Sequence, residues 1–109
     1  MSWLLRGGDV LAAAEVAETF GQRAKGLLGR TGYEGALVLH RTRSVHTFGR
    51  RFAIDVALCD HELTVIRVTT LRPWRMCLPV RRGRSVIEAE AGAFERWGLK
   101  AGDRLELRG

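Results

Sequence analysis

The residue types best suited to chemistry are concentrated between Ser44 and Asp55, which reads Ser-Val-His-Thr-Phe-Gly-Arg-Arg-Phe-Ala-Ile-Asp. A histidine and a carboxylate near a glycine turn are groups that commonly bind ligands or transfer protons. One functional interpretation follows from them, a small polar pocket that holds a small polar or anionic ligand. Its candidate residues are His46, Asp55 and Glu88, edged by Arg23 and Phe48.

A structural interpretation of the same residues needs no ligand. Asp55 would be a buried, ionised carboxylate that accepts hydrogen bonds from the His46–Gly49 loop, with Arg23, Arg50 or Arg51 close by. Glu88 would then be the partner of Arg23. We favour this interpretation, because polar networks in small domains more often fix loops than catalyse reactions.

Metal and cofactor sites are not predicted. Structural zinc requires ligands in paired short spacings, and Cys59-x-His61 is the one close pairing in the sequence. The glycines at 26, 29, 32 and 35 are spaced by three, but they do not follow the strand–loop–helix order of a phosphate-binding loop. We therefore expect no metal and no cofactor.

Nucleophilic catalysis would require an activated cysteine or serine. Cys77 lies between Met76 and Leu78, and nearby arginines could lower its pKa, but no glycine-flanked nucleophile motif surrounds it. The sequence leaves open whether the protein is an enzyme.

Positive charge is concentrated in the middle of the chain. The net charge is +6, and arginine outnumbers lysine sixteen to two. Seven arginines are candidates for contact with nucleic acid: Arg41, Arg43, Arg50, Arg51, Arg81, Arg82 and Arg84. We disfavour nucleic-acid binding, because the arginine excess suggests compositional bias and the aromatic residues are not interleaved as in a single-strand binder.

The length of 109 residues predicts one domain spanning residues 1–109. No apolar run approaches the roughly 20 residues of a membrane span. The first residues lack the basic and long apolar regions of a secretory signal. We therefore expect a cytoplasmic protein in which Cys59 and Cys77 are reduced.

The elements that must position the candidate residues are mostly strands. Alternating or β-branched apolar runs predict strands over residues 12–18, 35–40, 52–60, 63–71 and 85–91, with a hairpin at residues 3–11 and a final strand after Asp103. Short helices are predicted at Thr19–Gly29, which opens with a capping box, and at Ala93–Trp97. The fold expected is mainly β, a sandwich or flattened barrel. The alternative is an α+β roll in which Ala12–Glu18 joins the first helix.

Five stretches in the same order resemble the family known as domain of unknown function 192. Ala17–Arg30 is similar to its "R-A-x-G-L-M/L" helix, and Leu37–Leu39 to an apolar strand. Ser44–Asp60 resembles the central motif "S-V-H-T-F-G-M-x-F-P-I-D-V-x-F-L-D". Ser85–Gly92 and Trp97–Leu105 resemble "x-V-L-E-x-x-A-G" and "x-G-L-x-x-G-D-x-L". Arg50 and Ala53 depart from the central motif, where the family has an apolar residue and a proline.

The resemblance implies a mainly-β domain and no particular reaction. Taken with the residues themselves, it favours a non-enzymatic binding or accessory protein with an unknown partner. The alternatives are a small-ligand enzyme that uses the central pocket and a weak nucleic-acid binder that uses the arginine-rich segment 41–84.

Overall fold

Nine strands and one helix form the part of the chain that the computed structural model describes, residues 2–17 and 35–109. The strands are β1 (Ser2–Arg6), β2 (Asp9–Ala17), β3 (Ala36–His40), β4 (Val45–His46), β5 (Ile54–Cys59), β6 (Val65–Leu71), β7 (Met76–Cys77), β8 (Ser85–Glu90) and β9 (Glu106–Arg108). The helix α1 spans Ala93–Trp97. The helix predicted over Thr19–Gly29 lies outside the described residues.

Seven of the strands form one mixed sheet in the order β6-β5-β8-β3-β2-β1-β9. Every neighbouring pair is antiparallel except β2 and β3. The predicted hairpins β1–β2 and β5–β6 are confirmed. The first turns at Gly7 and Gly8, whose φ angles of 58° and 87° suit a two-residue hairpin turn that glycine adopts without strain.

The two edges of this sheet meet where β6 begins. Thr64 and Arg104 form a β-bridge, the Val65 amide donates to the Asp103 carbonyl at 2.8 Å, and the Leu105 amide donates to the Leu63 carbonyl at 3.0 Å. The sheet therefore curls into a flattened, partly closed barrel. The mainly-β, single-domain prediction is confirmed.

Each face of the sheet carries its own apolar cluster. We call the first the barrel interior; it includes Leu4, Val38, Ala57, Ile87 and Phe94, so α1 packs against it. We call the second the outer face; it includes Leu39, Ile54, Val56, Leu58 and Val86. Alternate residues of β5 enter the two clusters, as the period-two pattern predicted.

Three details differ from the sequence prediction. The segment Arg72–Gly83, predicted to be irregular, contains β7, which pairs with the unpredicted β4 as a second, two-stranded sheet. The strands predicted from Phe52 and Leu63 begin two residues later, at Ile54 and Val65. The α+β roll is wrong, because residues 12–17 continue β2 as a strand. Among the described residues, no helix has the length and apolarity needed to cross a membrane.

Candidate functional site

Asp55 is a buried carboxylate that caps the helix α1. It is 3% exposed. Its Oδ2 accepts hydrogen bonds from the amides of Gly92 and Phe94, both at 3.0 Å, and its Oδ1 accepts one from the Thr70 hydroxyl at 2.7 Å. The backbone amides at the start of a helix lack partners within the helix, so Asp55 fixes α1 to the end of the sheet.

The burial of Asp55 was predicted correctly, but the prediction of which groups donate to it is wrong. The His46–Gly49 loop does not supply them. Asp55 alternates with Ile54 and Val56 along β5, so its side chain lies on the barrel-interior side, with Ala57. Gly92 and Phe94, which follow β8, lie on that same side.

Glu88 lies on the other side of the sheet. It pairs in register with Val56, and directly opposite residues of an antiparallel pair share a face. That face is the outer one, because Val56 belongs to its cluster. The sheet thus separates Asp55 from Glu88, and the single pocket predicted for His46, Asp55 and Glu88 does not form. Arg23, the predicted partner of Glu88, lies outside the described residues.

Arg50 is a described partner of Glu88. The guanidinium Nη2 lies 3.5 Å from the Glu88 Oε1, and each of the two side chains is 2% exposed. Burial lowers the pKa of Arg50, while the charge of Glu88 and its hydrogen bond raise it. The pair is a buried ion pair beneath the loop that carries the central motif.

The guanidinium of Arg50 keeps two buried donors, Nε and Nη1, for which the described part of the chain supplies no acceptor. A buried N–H without a partner costs on the order of 1–3 kcal/mol. A hydrogen-bond donor on a buried cation that has no described acceptor therefore needs an explanation.

Thr47 holds the loop above this ion pair. It is fully buried. Its hydroxyl donates to the Arg72 carbonyl at 2.6 Å and accepts from the Arg75 amide at 2.9 Å, while its own amide donates to the Arg75 carbonyl at 2.8 Å. Thr47 therefore ties residues 45–50 to residues 72–75. The sequence analysis missed this role, because a threonine in a polar stretch carries no signal of burial.

His46 and Phe48 point outward from the same loop. Their rings stack with centroids 4.9 Å apart, and Phe48 approaches Trp74 at 6.3 Å. The Phe48 amide donates to His46 Nδ1 at 3.2 Å, so that nitrogen is the acceptor and the proton of the neutral ring lies on Nε2. These side chains form an exposed aromatic rim beside the loop that leads to the buried Arg50.

The arginines proposed for nucleic-acid contact do not form one surface. Arg50 is buried with Glu88, so it is removed from that set. Arg51 precedes β5. The other five lie on segments that meet at the opposite end of β5, where the Arg84 amide donates to the Cys59 carbonyl and the Thr42 amide to the Arg84 carbonyl. Those five are Arg41, Arg43, Arg81, Arg82 and Arg84, and all are exposed.

Neither cysteine is an activated nucleophile. Burial raises the pKa of the Cys59 thiol to about 12, helped by the nearby Asp60. Burial also raises the pKa of Cys77, and this outweighs the lowering effect of Arg67. The sequence offered two interpretations of the cysteines, small buried hydrophobic residues or a thiol whose pKa nearby arginines lower, and the first is confirmed. Within residues 2–17 and 35–109, no three histidine, cysteine or acidic side chains are grouped as metal ligands.

Comparison with known proteins matches nearly the whole chain. The model of the family DUF192, described as Uncharacterized ACR, matches residues 4–107. A UPF0127 protein of Pyrococcus abyssi is 37% identical over 97 residues, which cover 84% of this chain and 83% of that protein.

Two solved structures are similar in fold. A protein of unknown function from Novosphingobium aromaticivorans has a TM-score of 0.79 at 19% identity, over 96% of this chain and 82% of the other. A candidate transcription regulator from Sinorhizobium meliloti has a TM-score of 0.76 at 22% identity, over 96% and 90%. At these identities the likeness shows the fold alone.

Proposed function

The chain belongs to the uncharacterized family DUF192, and from that premise we propose that it is a non-enzymatic binding domain for a small anionic or polar ligand. The candidate site is the buried Arg50–Glu88 pair, together with His46 and Phe48 on the loop above it. Arg23, which lies outside the described residues, stays a candidate from the sequence alone. Asp55 is removed from the set, because the sheet separates it from Glu88 and α1 occupies its oxygens.

The observation that carries the proposal is the pair of unfilled donors on Arg50. A guanidinium has five N–H groups in a rigid fork that matches the oxygens of a carboxylate or phosphate. The Glu88 carboxylate lies 3.5 Å from Nη2, which leaves the Nε and Nη1 donors without a described acceptor. Ligand oxygens placed there would satisfy two buried polar groups at once.

A binding role is favoured over catalysis by the state of the other reactive groups. Both thiols are buried and have raised pKa values, and Asp55 is fully engaged as a cap. An enzyme using this candidate site is the alternative, and it would need a positioned base or nucleophile. Among the described residues, His46 is the one titratable group on the rim, and its Nδ1 is already bonded to the Phe48 amide.

Calorimetry and thermal unfolding with inorganic phosphate, sulfate and acetate as probes test the proposal. We expect at least one anion to raise the melting temperature of the wild type, because a ligand that binds only the folded state stabilises it. Arg50→Lys keeps a positive charge beside Glu88 but loses the fork, so it should fold and lose the shift. Arg51→Lys, on the exposed neighbour, should keep it. An unchanged shift in Arg50→Lys, or no shift with any probe in the wild type, contradicts the proposal.

Weak nucleic-acid binding is the second candidate, carried by five exposed arginines on converging segments, none of which forms an ion pair with a described residue. Phosphate contacts predict an affinity for a single-stranded oligonucleotide that falls steeply as salt rises. Fluorescence anisotropy measures this affinity, and absence of binding at low salt removes this candidate.

We also propose a cytoplasmic location, which is supported by two free cysteines buried on opposite faces of the sheet.

A further inference from the structure

Among the described residues, no strand pairs with the outer edge of β6 over most of its length. β6 pairs with β5 on one side, and on its other side the described contacts are confined to its start, at Thr64 and Val65. From Ile66 to Leu71 the outward amides and carbonyls have no backbone partner among the described residues. An edge of six residues, roughly 20 Å long, is a template on which another extended chain can pair.

A groove of about 360 Å³ runs beside this edge, between β6 and the segment that contains β7. Three arginines line it, Arg67, Arg72 and Arg75, and no acidic residue does. None of the three forms an ion pair with a described residue. Among the described residues, the groove therefore presents positive charge beside the open edge with no acidic group paired to it.

The far wall of the groove is apolar and exposed. Met76 and Leu78 are 52% and 64% exposed, although both line the groove. Exposed apolar side chains rimmed by charge mark interaction surfaces, and methionine adapts its shape to different partners. A chain lying in the groove would meet arginines and apolar side chains together.

The backbone at Trp74 is strained in a way that supports a binding role. Trp74 has a φ of 62°, a left-handed conformation that bulky residues rarely adopt. Its ring is 64% exposed and approaches Phe48. Residues held in such conformations are concentrated at binding sites, and here the strain presents an aromatic ring beside the groove.

We propose that a partner protein docks here through an extended segment added as a new strand to the open edge of β6. Every second residue of that strand faces the groove, and these groove-facing residues include both acidic and apolar side chains. The backbone of the partner would pair with Ile66–Leu71. Its carboxylates would meet Arg67, Arg72 and Arg75, and its apolar side chains would lie against Met76 and Leu78. This surface does not include Arg50 or Glu88, so the inference does not depend on the proposed anion site.

The probe is a labelled eight-residue peptide with threonine at every second position and with glutamate and valine taking turns at the positions between, so that both face the groove. Fluorescence anisotropy is the measurement. We expect Arg72→Ala/Arg75→Ala to weaken its binding at least tenfold, because each lost charge pair lowers affinity. The matched control Arg81→Ala/Arg82→Ala removes two exposed arginines outside the groove and should change the dissociation constant less than twofold.

Three further arms separate strand addition from side-chain attraction alone and from binding to a lipid surface. The same peptide with alternate backbone nitrogens methylated cannot pair with an edge and should not bind, and the amides of Ile66–Leu71 should shift in the nuclear magnetic resonance spectrum only with the unmodified peptide. Equal binding of the methylated peptide overturns strand addition. No binding at millimolar peptide overturns the proposal, as does tighter association with vesicles of phosphatidylcholine and phosphatidylserine than with the peptide.

Discussion

Asp55 and Glu88 lie on neighbouring strands, one register position apart, yet the two faces of the sheet satisfy them by different means. Asp55 receives neutral donors, two backbone amides and a hydroxyl. Glu88 receives a guanidinium from Arg50. Backbone amides are supplied by the fold itself, whereas a guanidinium depends on one side chain. On the barrel-interior side the Asp55 carboxylate therefore anchors α1 to the sheet. On the outer face the Glu88 carboxylate pairs with the buried guanidinium of Arg50.

The largest effect is expected on the outer face. Arg50→Met removes a buried cation from beside Glu88. Glu88→Leu removes the carboxylate beside the buried Arg50 guanidinium, two of whose N–H groups already have no described acceptor. Each should lower the free energy of unfolding by about 3–5 kcal/mol. The double variant removes both charges, so it should cost less than the sum of the two, with a coupling of about 2 kcal/mol. Urea unfolding of all four proteins measures this.

The exposed pair Arg104–Glu62 is the matched control, with N and O atoms 2.8 Å apart. The same Met and Leu substitutions there should change stability by less than about 1 kcal/mol, because water screens exposed pairs. If Arg50→Met lowers the free energy of unfolding no more than Arg104→Met does, the prediction that the buried ion pair matters more than the surface pair is wrong.

The next effect concerns the barrel interior. Asp55→Asn keeps the shape of the side chain but loses its charge, so its hydrogen bonds to Gly92 and Phe94 weaken. We expect a loss of about 1.5–3 kcal/mol, and a larger loss for Asp55→Ala. Asp60→Asn is the control, since Asp60 accepts amides only within its own turn. An Asp55→Asn protein that unfolds at the wild-type denaturant midpoint would disprove the capping role.

At alkaline pH we expect a smaller change in stability per pH unit, which should depend more on the cysteine of the barrel interior than on that of the outer face. The pKa of Cys59 is about 12 in the folded protein against 9.0 as its ordinary value. Above about pH 9 the unfolded chain releases a proton that the folded chain retains, so stability falls by about 1.4 kcal/mol per pH unit. Cys59→Ala should flatten this decline. Cys77→Ala, on the outer face, should flatten it less, and equal slopes in the wild type and Cys59→Ala would contradict the burial argument.

Local patterning was enough to predict most of the strands. β5 and β6 alternate over six or seven residues around a short turn, and the Gly-Gly turn defines the first hairpin. β4 and β7 have two residues each, too few for any period to appear. Their pairing depends on contacts made through Thr47, which no local pattern records.

The candidate site was predicted only in part, because its arrangement depends on strand register. Alternation placed Asp55 and Ala57 on one face of β5, but the face of Glu88 follows from its pairing with Val56, about thirty residues away in sequence. The sequence did contain a signal from which the burial of Arg50 could have been predicted. The family motif has an apolar residue there, and a position that is apolar in relatives is typically inside.

The meeting of the two sheet edges also has a consequence for the order of folding. β1 pairs with β9, which places Trp3 opposite Arg108, and Thr64 joins Arg104. Hairpins such as β5–β6 can form early, but the barrel closes only after the two ends of the described chain find each other. Loop-closure entropy slows such distant pairing, so we expect refolding on the millisecond-to-second scale typical of β-barrels, with the last strand as the final step.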